Sequence, residues 1–307
     1  MSPFAYITHP DCARHEIAPG HPEQPARIAS VDAALRGAPE IAAALSAIEA
    51  PLAEPDSLCL AHDPDYVSTL LKLEPAPGEF IRLDPDTAIN SYSLDAARRA
   101  AGAVMRAVDE VVRGKTARAF CNVRPPGHHA ERDKAMGFCL FNSIAIGALH
   151  AIQQHGLQRV AVIDFDVHFG NGTSDILRNH DNILLLSSCQ YPLYPLDEVP
   201  VAGRSEINIV LPPESDGNAF REAAVSQWFS ALEAYAPQLV LISAGFDAHA
   251  DDPLAGLNWQ ADDYAWVTSE IVRLTGAAHG IVSSLEGGYN LDALGQCALA
   301  HVQALIA

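Results

Sequence analysis

An α/β fold built on a parallel sheet is the architecture this sequence predicts, and three features carry that reading. Short apolar runs at Ala119 to Val123, Val160 to Ile163, Ile183 to Leu186, Ile207 to Leu211, Leu239 to Ser243 and Gly280 to Leu285 read as strands. Helical stretches separate most of them, the alternation expected of parallel strands joined by right-handed crossovers. The Val160 to Ile163 run is apolar at every position and largely β-branched, as suits a strand buried on both faces. Polar residues gather just after several runs, at the carboxyl edge where open α/β sheets put their ligands.

Taken in order, Phe4 to Ile7 reads as a first strand, and His9 to Gln24, rich in His, Pro and Gly, as a functional loop. Pro25 to Arg36 has helical spacing, with Arg27 in its first turn and Gly37 as a stop signal. Ile41 to Ile48 continues the helical pattern. Pro64 to Leu71 is a short helix with proline at its start. Pro75 to Pro85 reads as a loop, and Leu94 to Val112 as a long amphipathic helix ended by Gly114. The later helices fall at Phe141 to Gln154, Thr173 to Arg178, Ala219 to Tyr235, Asp262 to Leu274 and Leu291 to Ile306. No linker divides the chain, so residues 1–307 are read as a single catalytic domain.

Composition narrows the class. The 307 residues are 49% hydrophobic, enough for a sizeable core, yet no run approaches the ~18 apolar residues of a membrane helix. Met1 to Phe4 lacks the basic-then-apolar pattern of a secretory signal. Six cysteines lie scattered without Cys-x-x-Cys spacing, which points to reduced thiols in a cytoplasmic protein rather than a disulfide framework. The net charge of −19 repels nucleic acid and anionic lipid and favours cationic substrates such as lysine-rich tails or polyamines. Solubility alone would also explain it.

The strongest feature is Val160 to Thr173, where Asp164, Asp166 and His168 occupy alternate positions after the strand. An extended chain would project all three from one side. Unpaired and buried, such groups cost several kcal/mol or change protonation state, and a cation resolves that conflict. Gly170, Asn171 and Gly172 then turn the chain into a helix near Thr173. Other strand ends add complementary groups. Arg124-Pro-Pro-Gly-His-His-Ala130 puts His128 and His129 on a turn, from which both can face one cavity. Gly137-Phe138 sets an aromatic beside a glycine, a plausible pocket wall. Asp247 follows the Leu239 strand, where its bland alternative is a turn cap. Glu286-Gly-Gly-Tyr289 follows the last strand. Asp166, His168 and Asp247 make a three-ligand site with one nitrogen and two oxygens; a structural zinc wants four ligands, so a position stays open for water. His128 and His129 supply general base and acid, and Tyr289 an oxyanion donor. Asp164 orients a histidine or binds a second cation.

These residues resemble the zinc-dependent histone deacetylase superfamily, which includes bacterial deacetylase-like amidohydrolases and acetylpolyamine amidohydrolases. The motifs that carry the resemblance are Arg124 to Ala130, Asp164 to Thr173, Ala244 to Ala248 with Asp252-Pro253, and Glu286 to Tyr289; His21 to Ile28 resembles the amino-terminal motif. The resemblance implies the arginase/deacetylase fold, with a parallel sheet of about eight strands. It implies catalytic Zn²⁺ on Asp166, His168 and Asp247, with His129 as base, His128 as electrostatic partner and Asp164 supporting His128. Tyr289 would polarise the substrate carbonyl. The Gly137 carbonyl would accept the substrate amide N–H, and Phe138 and Tyr194 would line an acyl-lysine tunnel. Arg27 would sit where acetate leaves. A structural K⁺ is implied at Asp164, Asp166, His168 and Ser187.

Three departures bear on specificity. Asn171 stands where class I members have Asp, matching class II-like and bacterial members; a neutral partner leaves its histidine less basic. Phe169 replaces a second histidine. Leu254 occupies a rim position where a polyamine-preferring relative carries Glu, which argues against a polyamine gate unless Asp84 or Asp86 supplies the charge. The expectation is hydrolysis of acetyl-lysine or a similar N-acyl amine by a metal-activated water. Its rivals are an acetylpolyamine or other small-molecule deacylase or esterase, and a non-catalytic acyl-amine binding module. Asp247-Ala-His-Ala-Asp251 matches a ureohydrolase string only superficially, since companion ligands are missing elsewhere. Homodimeric or homotetrameric assembly stays open.

Overall fold

Eight parallel strands form one sheet in the computed structural model, which describes residues 4–196, 199, 205–276 and 278–307. Met1 to Pro3, part of the segment read above as no secretory signal, lie outside them. The chain begins with β1 (Phe4–Thr8), a 3₁₀ turn (Pro10–Ala13), helices α1 (Ala26–Gly37) and α2 (Pro39–Ala44), and β2 (Leu45–Glu49). Short helices α3 (Pro55–Leu58) and α4 (Pro64–Leu70) precede a small antiparallel pair, β3 (Ile81–Arg82) and β4 (Ala88–Ile89), and the long α5 (Ser93–Val112). Then come β5 (Arg118–Cys121), α6 (Ser143–His155), β6 (Val160–Asp164), α7 (Asn171–Leu177), β7 (Ile183–Gln190) and β8 (Glu206–Leu211). The last third holds α8 (Gly217–Ala224), a π turn (Val225–Phe229), α9 (Ser230–Tyr235), β9 (Leu239–Ala244), α10 (Ala261–Leu274), β10 (Ile281–Leu285) and α11 (Leu291–Ile306).

The strand order β2-β1-β5-β10-β9-β6-β7-β8 puts β5, β10, β9 and β6 at the centre. These are the four strands that the polar motifs follow. Their ends are level: Asp164 pairs with Ser243, Ala244 with Leu285, and Cys121 with Ser284. Loops leaving four adjacent, aligned ends must converge on one patch. Hydrophobic layers cover both faces, and residue alternation assigns them. Val160 and Val162 join the layer under α5 and α6, while Ala161 and Ile163 join the layer under α1, α10 and α11. That two-sided burial is what the continuous apolar run required.

One element differs in type from the sequence reading. Ile41 to Ile48 is not a continuous helix: α2 ends at Ala44, and Leu45–Glu49 pairs in register with β1 as the sheet's edge strand. Its alanine-rich start has strong helical preference, but free backbone groups along β1 reward pairing more. The helix read from Ala219 to Tyr235 is interrupted by the π turn, and the loop from Pro75 contains β3. Helix α7 starts two residues early, at Asn171. Strand β6 also stops at Asp164, so residues 165 to 169 leave the extended conformation that the alternate-position argument assumed.

Candidate metal centre and acyl pocket

Turns after β6 nevertheless bring Asp166 and His168 together, because backbone donors hold them. Asp166 Oδ1 accepts the His168 N–H at 2.9 Å, and Asp166 Oδ2 accepts that of Gly287 at 2.8 Å. Asp247, from the loop after β9, accepts the Val167 N–H at 3.0 Å through Oδ1. The remaining oxygens close on one nitrogen: His168 Nδ1 lies 3.0 Å from Asp166 Oδ1 and 3.2 Å from Asp247 Oδ2. Gly245 and Gly287 make the approach possible. A Cβ on Gly245 would lie 2.0 Å from Asp166 Oδ2, and one on Gly287 1.9 Å from Asp247 Oδ2.

All three residues are buried. Burial alone would lower the His168 pKa, but its contacts with Asp247 and Asp166 outweigh this and push it up to about 10. One nitrogen can share a single proton between two carboxylates, and Asp247 Oδ2 completes no hydrogen bond. Two carboxylate oxygens and one imidazole nitrogen mutually within 4.8 Å suit a dication better than a proton. The donor set therefore fits the zinc that the sequence motifs suggested.

The two histidines after β5 lie 4.0 Å apart between ring centroids, with their planes tilted by 48°, yet meet different partners. His128 Nδ1 contacts Asp164 Oδ2 at 3.0 Å. Burial opposes its charged form, but Asp166 and Asp164 prevail and hold its pKa well above the ordinary range. His129 Nδ1 lies 2.7 Å from Asn171 Oδ1. The Asn171 Nδ2 donates to Glu131 at 2.7 Å, so its oxygen faces the ring and can only accept. The His129 proton therefore sits on Nδ1, leaving the Nε2 lone pair free. Burial, with the charges of His128 and His168, holds its pKa well below the usual value. The two adjacent imidazoles are thus pushed in opposite directions, His128 toward its charged form and His129 toward its neutral one.

A cavity of about 200 Å³ opens over this centre. It collects His129, His168, Gly137, Phe138, Tyr194, Leu254 and Tyr289, all picked out in the sequence, together with Asp86, named there as a source of rim charge, and adds Leu193. Gly137 has a φ of +56°, and a Cβ there would lie 2.4 Å from the His129 ring, so glycine is required. Phe138 also takes a positive φ, +66°. Two contacts fix the strained pair: Gly137 N–H donates to Asp86 at 3.1 Å and Phe138 N–H to Thr87 Oγ1 at 3.0 Å. Across the cavity the Phe138 and Tyr289 rings meet edge-on at 6.0 Å. Burial raises the Tyr289 pKa further, keeping the phenol a donor.

Arg27 and Ser187 lie outside this cavity. Arg27 is buried behind Tyr289, with its guanidinium carbon 4.9 Å from the ring centroid. It donates to the carbonyls of Gly288 (2.7 Å) and Glu286, and to Glu23 at 3.1 Å. Ser187 pairs with Asp164 in the β6–β7 register, and its buried hydroxyl finds no hydrogen-bond partner among the described residues.

Sequence reasoning assigned no role to three acids that shape the site. Glu23 bridges Arg27 and Arg124, accepting from Arg124 Nη2 at 2.6 Å. Glu286 accepts the N–H groups of Gly127 (2.6 Å) and His128 (3.2 Å), fixing the histidine turn. Burial pushes its carboxyl up to about 7. Asp252 accepts the Tyr289 N–H at 2.7 Å and that of Leu254 at 2.9 Å. Each acid stood inside a quoted motif, which was the available signal.

Comparison with known proteins identifies the family. The histone deacetylase domain matches residues 21–305. The chain belongs to the histone deacetylase family. An uncharacterized protein of Synechocystis sp. is 36% identical over 307 residues, covering 98% of this chain and 99% of that one. The histone deacetylase-like amidohydrolase of Pseudomonas aeruginosa is 35% identical over 275 residues, covering 86% of this chain and 72% of its own. The type-2 histone deacetylase 2 of Dictyostelium discoideum is far longer; the match, 40% identical, spans 14% of it. Among solved structures, the HDA15 HD domain superposes with a TM-score of 0.90 at 31% identity, covering 99% of this chain and 88% of that one. Family membership supports a deacetylase role. No helix among the described residues is long and apolar enough to cross a membrane.

Proposed function

We propose that the chain is a zinc-dependent amidohydrolase that removes acetyl or similar short acyl groups from the ε-amino group of lysine or a comparable amine. The observation that carries the reading is the placement of a neutral imidazole with a free Nε2, His129, in the cavity that also holds His168 and Tyr289. Asp166, His168 and Asp247 would hold the zinc. When bound, zinc supplies Lewis-acid polarisation and a water acidified toward neutral pH.

The chain's own groups do the rest. His129 Nε2 takes the water proton, while Asn171 keeps the ring in the required tautomer. His128, held cationic by Asp164, stabilises negative charge developing on the carbonyl oxygen. Tyr289 donates to that same oxygen. The Gly137 carbonyl accepts the substrate amide N–H, and Phe138 and Tyr194 flank the acyl-bearing stem. A histidine then returns the proton to the leaving amine, and acetate departs toward Arg27. Structural potassium is proposed beside Asp164, Asp166, His168 and Ser187; the unpartnered Ser187 hydroxyl supports it. If that ion is real, Ser187→Ala should abolish any difference in activity between potassium and sodium buffers.

The discriminating experiment measures amine release from an acetyl-lysine peptide, an acetylated polyamine, a longer acyl-lysine and a simple ester, after chelation and again after zinc is restored. Zinc-dependent turnover of the peptide above the polyamine supports the lysine reading, in keeping with the apolar rim residues Leu193 and Leu254. The reverse order moves the function to polyamines. No metal-dependent turnover of any member would leave a binding module.

A further inference from the structure

A second cluster of metal-ligating side chains lies on the helical layer, where α5 packs on α6. His150 Nε2 and His155 Nε2 both reach Asp109 Oδ1, at 2.9 and 2.7 Å, and the three ligand atoms lie within 4.8 Å of one another. We propose that Asp109, His150 and His155 form a second transition-metal site, selective for zinc-like dications, that clamps α5 to α6.

Four observations carry it. The donor set is two imidazole nitrogens and one carboxylate oxygen, which suits zinc, nickel or copper and leaves a further position for water. The ligands come from two helices held at fixed spacing. Gly147 lets α6 approach closely, since a Cβ there would lie 2.5 Å from Val104 Cγ1 of α5. Asp109 is also oriented from its other side, because Arg113 Nη2 lies 3.4 Å from Oδ2 and leaves Oδ1 to the histidines. The side chains are partly open to solvent, 22% for Asp109, 11% for His150 and 13% for His155, so an ion can enter without unfolding.

The site is remote from the acyl pocket. Helix α6 starts beside the catalytic loops, where the buried Asn142 caps it and bonds to Thr173, and His155 is its last residue. Twelve residues at about 1.5 Å each put His155 roughly 18 Å further along the axis. Occupancy there reports on helix packing rather than on the reaction, so this inference stands apart from the proposed activity.

The test is calorimetric titration of zinc chloride into the chelator-stripped full chain, with melting temperature read alongside. Wild type should bind two equivalents, and His155→Ala and Asp109→Asn one each. Asp247→Asn, which disables the buried triad, should retain one equivalent and still gain melting temperature with zinc, and that gain should vanish in Asp247→Asn/His155→Ala. Equal stoichiometry in wild type and His155→Ala would overturn the proposal, as would an Asp247→Asn chain that gains no melting temperature from zinc. His155→Ala removes a side chain at a helix end, so folding is preserved for the comparison; cobalt(II) absorption that persists unchanged in that variant would count equally against the site.

Discussion

Among the described residues lie two three-residue clusters of histidine and aspartate, one histidine with two aspartates at the sheet's carboxyl edge and two histidines with one aspartate between helices. They differ in what surrounds them. In the Asp166–His168–Asp247 cluster, backbone N–H groups of His168, Gly287 and Val167 hold the carboxylates, and two glycines make room. In the helical cluster the ligands mainly hold one another, with Arg113 behind. The first is prearranged and enclosed under a cavity of about 200 Å³; the second is partly open to solvent and built from side chains alone. Metal-ligand chemistry therefore marks a place where an ion can sit. A reaction additionally needs a base, an oxyanion donor and a pocket, and the proposed activity draws all three from the residues that line the cavity at the sheet's carboxyl edge.

Breaking the enclosed cluster should have the largest effect. Asp247→Asn should lower kcat/KM for an acetyl-lysine peptide by on the order of 10³-fold or more, since a Lewis acid contributes several kcal/mol. Near-normal turnover would detach the triad from the chemistry. Tyr289→Phe should cost about 10²–10³ in kcat, the effect of one oxyanion donor, with the fold unchanged by circular dichroism. Full activity would remove Tyr289 from that role.

Buried histidines away from carboxylates sharpen the contrast. His62 donates from Nδ1 to the Glu131 carbonyl and accepts the Asn142 N–H on Nε2, so it is neutral, and burial lowers its pKa to about 4. Because the unfolded chain takes a proton near pH 6.5 and the folded chain does not, this stability is complete above pH 6.5 and is lost as pH falls toward 4. The loss is about 3 kcal/mol. Urea unfolding at pH 7 and pH 4.5 should show it, and His62→Gln should flatten the slope; an unchanged slope would place the acid sensitivity elsewhere. The smallest effect concerns Asn171→Asp. A carboxylate beside Nδ1 raises the His129 pKa, so the acid limb of the kcat/KM profile should move to higher pH by roughly one unit. A limb that stays put would mean another group titrates there.

How much of this was legible depended on where the physics was local. Val160 to Ile163 announced itself because a strand buried on both faces must be apolar throughout. Leu45 to Glu49 did not, because an edge strand half exposed to solvent carries no such constraint, and its alanine-rich approach reads as helix. In the site, the proposed ligands, the paired histidines and Tyr289 stood out by residue type and position after strands. Glu23, Glu286 and Asp252 act through backbone N–H groups and guanidinium groups distant in sequence, so no spacing revealed them. Asp86 was noticed as a source of rim charge, but its contact with the Gly137 N–H makes it a support of the pocket wall.

The most direct measurement is stepwise return of zinc to chelated protein while amine release from an acetyl-lysine peptide is followed. Activity should be absent without metal and rise to saturation as the buried triad fills, in wild type and in His155→Ala alike. Turnover that survives complete chelation, or that returns with zinc in the Asp247→Asn chain, would contradict a metal-dependent reaction at the sheet edge.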